Sequence, residues 1–151
     1  MKIKNYTSSV PAERNMQNIE TMLVQFGASH ISKTVDTEQK KVDGFYFQLF
    51  VGNMPMSFKL PVQVIAIQRI LESEIRKPHR DTFKRAQEQA ERTAWALLRD
   101  WIHIQLSMVT MQQAEAVQIF LPFICVPNSD QTFFEKLKES GFKQLTTGNK
   151  P

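Results

Sequence analysis

The sequence predicts an α+β fold, with three or four mostly antiparallel strands and a helical C-terminal half around one long helix. Three observations predict it. Residues 81–108 carry apolar side chains at helical spacing without a proline or glycine; residues 42–60 alternate as a β-hairpin does. Strand-like segments also precede most of the helical ones, an order that favours α+β over a parallel α/β sheet.

In the long helix, Phe83, Ala86, Ala90, Ala94, Leu97, Leu98, Trp101, Gln105 and Met108 recur at steps of three and four along one stripe. Asp81 suits the N-cap, where a short carboxylate accepts from first-turn amides and complements the positive helix end. Up to Ala94 the apolar positions are mostly small. Beyond it Trp95, Leu97, Leu98, Trp101, Ile102, Ile104 and Leu106 ring the helix, which predicts a second half buried on several sides. The first half is expected at the surface, with Arg85, Arg92 and Arg99 aligned by their spacing of seven. Trp95 and Trp101 can line a pocket with Arg92, Asp100 and Gln105, or can be core residues whose indole N–H groups Asp100 and Gln105 accept. The core reading is preferred, and it predicts a cost of about 3 to 5 kcal/mol for Trp101→Ala.

The hairpin is the clearest local signal. Runs 42–51 and 54–60 flank Gly52 and Asn53, a pair suited to a two-residue turn with positive φ. That turn pairs Val51 with Met54, Leu49 with Met56, Phe47 with Phe58 and Phe45 with Leu60, so every partner on one face is apolar. The other face carries Tyr46, Gln48, Phe50, Ser57 and Lys59, and Pro55 marks an edge strand because it lacks an amide donor.

The remaining elements follow from capping and breaking residues. Residues 3–7 read as a short strand. Pro11 opens a helix through Phe26, with Ala12, Met16, Ile19, Leu23 and Phe26 on its buried side and Gly27 as a left-handed stop. Residues 30–36 read as a strand, and 36–41 as a turn. Pro61 is expected to start a helix through Arg76 with Val64, Ile67, Ile70, Leu71 and Ile75 inward. Thr110 with Gln113 forms a capping box for a short helix ending near Phe120, and Thr132 with Glu135 forms one for a last helix that Gly141 ends. Residues 120–127 read as an extended apolar crossing or a buried strand. One domain over residues 1–145 and a mobile tail at 146–151 complete the expectation.

Composition narrows the function. At 151 residues, 42% hydrophobic and 23% charged, the chain can bury a core and is unlike a disordered one. Its single cysteine, Cys125, excludes an internal disulfide and sits best with a reducing compartment. No leader-like or membrane-spanning apolar run is present, so a cytoplasmic protein is expected. The net charge of +4 leans towards polyanionic partners.

Catalytic signatures are missing. Asp100 and His103 share a helix face at a spacing of three, but no second ligand pair accompanies them. Cys125 lies in an apolar run, where a thiol is inert. Five isolated glycines make neither GxGxxG nor GxxxxGK[ST]. No catalytic residue, cofactor or metal is therefore expected. The pairs Asp81 to Arg85 and Glu88 to Arg92 read as exposed helix ion pairs.

The remaining candidate is a basic surface. Arg76, Lys77, Arg80, Lys84, Arg85 and Arg92 cluster around the connection into the long helix, where they can meet phosphates. Tyr46, Phe50 and Lys59 suit a platform that stacks unpaired bases, or else they are covered by a helix or a subunit.

At residues 90–108, AERTAWALLRDWIHIQLSM, and at FLPF, 120–123, the chain resembles a family of small uncharacterised proteins carried by phages and integrated mobile elements. The resemblance extends to FGA at 26–28 and FKLP at 58–61. It implies no activity and no catalytic residue; such proteins often handle nucleic acid or block host machinery. The expectation is a non-enzymatic accessory protein that binds DNA or RNA with low specificity. The alternative is a protein-binding module or inhibitor, with a homodimer through Tyr46, Phe50 and the edge strand as one form of it.

Overall fold

The hairpin takes the register its alternation dictates. In the computed structural model, which describes residues 3–146, strands β1 (His30–Asp36), β2 (Lys41–Val51) and β3 (Met54–Pro61) form one antiparallel sheet in that order. Val51 pairs with Met54, Leu49 with Met56, Phe47 with Phe58 and Phe45 with Leu60. In the turn only Gly52 adopts positive φ, 61°, at the first central position, as in a type II′ rather than a type I′ turn.

Helices cover the apolar face. They are α1 (Ala12–Phe26), α2 (Val64–Ser73), α3 (Thr82–Thr110), α4 (Ala116–Phe120) and α5 (Phe133–Glu139). Ile19 and Leu23 of α1, Trp95, Ile102 and Leu106 of α3, and Phe120 close over Phe45, Phe47, Leu49, Phe58 and Leu60. Trp95 meets Phe45 edge-on with ring centroids 5.7 Å apart, and Phe47 stacks on Phe58 at 5.1 Å. Four successive residues of α3, Thr93 to Ala96, are buried, so the helix is enclosed on all sides there. Beyond them Ile102 and Leu106 face the core, while Ile104 and Met108 face outward. The fold is α+β around a long helix, as the pattern predicts.

Residues 3–7 form turns instead of a strand. Asn5 takes a positive φ of 62°, and polar side chains of α3 hold the segment as a strap. Thr93 Oγ1 donates to the Asn5 carbonyl at 3.1 Å, Gln89 Nε2 to the Tyr6 carbonyl at 2.9 Å, and Arg92 Nε to the Ser8 carbonyl at 3.2 Å. These bonds consume the backbone acceptors that a strand ladder would need.

Asp100 anchors the same strap. Its carboxylate accepts from Asn5 Nδ2 at 3.0 Å, pairs with Lys4 Nζ at 2.7 Å, and takes both Nε and Nη2 of Arg99. Arg99 Nη1 also donates to the buried Asn15 Oδ1 at 2.9 Å, tying α1 to α3. Burial alone would raise the Asp100 pKa. The hydrogen bonds from Lys4, Asn5 and Arg99, with the Arg99 charge, outweigh it and hold the carboxyl well below the usual range. A carboxyl depressed in this way contributes stability that is present above about pH 4 and lost as the pH falls towards its native value. Asp100→Asn is accordingly expected to lower the urea midpoint at neutral pH, with the gap to wild type closing in acid. A gap that stays constant down the pH series would contradict this.

Other differences are local. Pro61 remains in β3, opposite Gly44, so α2 starts at Val64 and is over by Ser73. Of its predicted inward residues only Leu71 is fully buried, and Ile70 is exposed. Asp81 sits at the N-cap of α3, but its side chain accepts no first-turn amide; the Thr82 hydroxyl instead accepts from the His79 N–H at 2.8 Å. Thr110 is the last residue of α3, its hydroxyl bonded back to the Leu106 carbonyl, and the capping box belongs to Glu115 and Gln118. Residues 121–123 coil into a 3-10 turn, leaving only Ile124 and Cys125 extended, with Cys125 N–H donating to the Ser57 carbonyl of β3 at 2.8 Å. Thr132 and Glu135 make their box as predicted, and Gly141 follows with φ of 71°. Most of the tail expected at 146–151 lies outside the described residues.

Candidate nucleic-acid interface

The early end of α2 decides where the basic residues stand. Arg76, Lys77 and Arg80 fall in the irregular connection from α2 to α3, and Lys84 and Arg85 in the first turn of α3. All five are exposed. None of their side chains makes a hydrogen bond or an ion pair among the described residues, where the ion pairs are Lys4 and Arg99 with Asp100, Lys33 with Glu20, and Lys41 with Glu91. Asp81 is the sole carboxylate within residues 76–85. The N-terminal end of α3 adds its own positive potential there.

Arg92 leaves this set. Its guanidinium donates to the Ser8 carbonyl and, at 2.7 Å, to Gln89 Oε1, inside the strap. The row of Arg85, Arg92 and Arg99 therefore exposes only its first member, because the other two are held inward by polar groups of the N-terminal segment and α1. The Asp81 to Arg85 and Glu88 to Arg92 ion pairs do not form.

Tyr46 and Lys59 are cross-strand partners on the sheet face away from the core. No helical residue is among those lining the space beside them. They line a groove of about 910 Å³ between that face and residues 124–130, together with Thr34, Ser57, Cys125 and Asp130. Phe50, on the same face, is exposed. The groove contains none of the residues of 76–85, so the two predicted basic elements are separate surfaces.

No known protein family matches the chain, and neither does any curated protein or solved structure.

The Asp100 carboxylate is taken by Lys4, Asn5 and Arg99, and His103 is exposed. Among the described residues no three His, Cys, Asp or Glu side chains are placed to hold a metal ion. Cys125 is a free thiol, half-buried, and burial pushes its pKa up although the Lys59 charge opposes this. No helix among the described residues is long and apolar enough to cross a membrane.

The strap residues Asn5, Ser8, Gln89 and Thr93 escape a sequence reading, since uncharged polar side chains carry no periodic signal. One clue exists: Thr93 lies between Ala90 and Ala94 of the apolar stripe, where a buried hydroxyl must find an acceptor.

Proposed function

We propose that the chain binds nucleic acid with low sequence specificity, through residues 76–81 and the first turn of α3, as a non-enzymatic accessory protein. What carries this reading is the set of five exposed cations, Arg76, Lys77, Arg80, Lys84 and Arg85, which have no protein partner among the described residues. Such groups meet phosphates without first breaking an internal pair, and phosphates carry no base sequence. Tyr46 and Lys59 enter as a smaller, separate contact, a phenol ring beside an ammonium group on the open sheet face, suited to an unpaired base and its phosphate.

Electrophoretic shifts over a salt series test it. With about four phosphates engaged, the logarithm of affinity for duplex DNA is expected to fall against the logarithm of salt with a slope of about −4. Reversing Arg80, Lys84 and Arg85 together to glutamate should lower affinity at least ~100-fold and flatten the slope by about 3. Binding that survives this triple change at the same slope sinks the proposal. Tyr46→Ala is expected to weaken only single-stranded ligands.

A further inference from the structure

The end of the molecule away from the basic loop is nearly free of charge. Residues 21–32 and 44–58 contain no Asp, Glu, Lys or Arg, and residues 101–129 contain only Glu115. The fold gathers these stretches, for the C-terminal turns of α3 share one groove with the end of α1 and another with the hairpin tip and α4. The first groove, about 310 Å³, is lined by Met22, Phe26 and Leu106 with Gln25, His103, Ser107 and Thr110, and by Met111 at its exposed edge. Phe50, Val51, Val109 and Val117 line the second, whose one charged residue is Glu115.

Between them runs an apolar ridge. Ile104 and Met108, four apart, share a face of α3, and Met111, its C-cap residue, continues that face. They are 52%, 39% and 71% exposed. Large apolar side chains grouped in this way, without interspersed charge, mark an interaction surface.

We infer that this end is where two copies of the chain pair, the ridge of each seating in the groove lined by Met22 and Phe26 on the other. Electrostatics selects the occupant. Each copy carries a net charge of +4, so approach through basic surfaces is repulsive, whereas the neutral end is compatible with itself. An anionic bilayer finds no lysine or arginine in these stretches to hold its headgroups. A charged protein partner finds no counter-charge beyond Glu115. A surface with both a ridge and a hollow meets the self-complementarity that a two-fold interface demands. Methionines, flexible and polarisable, adapt to such a contact. This surface differs from the sheet edge, which Cys125 partly closes by its bond to Ser57.

Sedimentation equilibrium of the full chain, from micromolar to near-millimolar concentrations, tests the inference. Wild type is expected to show a reversible monomer to dimer transition. Ile104→Glu and Met111→Glu should each raise the dissociation constant at least ~10-fold, since a lone carboxylate would be desolvated at the interface. Both positions are exposed, so thermal melts taken at concentrations where wild type is monomeric should not move; should either glutamate variant fail to fold, Ile104→Gln and Met111→Gln replace it with a smaller shift in the same direction. A wild type that stays monomeric throughout overturns the inference, even if it floats with neutral vesicles or captures another protein. So does a dimer whose dissociation constant neither substitution changes.

Discussion

Replacing Trp95 by alanine is expected to remove about 3 to 5 kcal/mol of stability, read as a lowered urea midpoint with an unchanged slope. Trp95 has no solvent exposure, sits in the most enclosed turn of α3 and meets Phe45 edge-on. Its removal would leave a cavity bounded by a sheet and by helix backbone, neither of which can collapse into it. Trp101 looks equivalent in sequence but is only half-buried, resting on Phe120 and Phe123 at the rim of the core. Trp101→Ala should therefore cost clearly less than Trp95→Ala. The Trp95 Nε1 has no hydrogen-bond partner among the described protein groups. Trp95→Phe removes that buried donor along with part of the ring, and should cost less than half of what alanine does. Equal losses for Trp95→Ala and Trp101→Ala would refute this placement.

Gly44→Ala is expected to cost about 2 to 3 kcal/mol although it adds a single methyl group. A Cβ at Gly44 would stand 2.6 Å from the Leu60 carbonyl oxygen, 2.9 Å from Thr34 Oγ1 and 3.2 Å from the Pro61 Cα. Two of these three atoms are backbone of β3, so relief requires the ladder between β2 and β3 to open where Gly44 faces Pro61. Valine at the same place should be worse. Gly52→Ala provides the contrast: its Cβ meets nothing within 4 Å, and only the left-handed φ of 61° opposes it, at about 1 to 2 kcal/mol. Chemical denaturation of the three variants would rank them. A Gly44→Ala protein as stable as wild type would mean that the strands are not this close.

The elements that could be read directly are those fixed by neighbours in the chain. The hairpin register follows from period-two alternation and a turn of two residues, and α1 and α5 from Pro11 and Gly27 and from Thr132 and Glu135. Long-range polar contacts leave no such trace. Nothing near residues 3–7 announces that Thr93, Gln89 and Asp100 will claim them, and the same strap turns Arg92 and Arg99 inward although their spacing aligns them with Arg85. The choice between Thr110 with Gln113 and Glu115 with Gln118 is likewise invisible locally, because both have an acceptor three residues before a glutamine. It depends on how far α3 continues before it meets the turn into α4. In the candidate interface, residues 76–85 were legible as exposed because Phe83 is the one large apolar side chain among five cations, whereas the groove beside Tyr46 and Lys59 depends on residues 124–130 returning to β3.

The 29 residues of α3 rise by about 43 Å from end to end. Joining two chains at their neutral tips would turn this rod into a double-ended tether, its gripping points facing away from each other. Such a particle cannot clasp one short oligonucleotide from both sides. It would instead draw remote stretches of a long polymer together, so its signature would be compaction and cross-linking of long molecules at concentrations where short ones are bound singly.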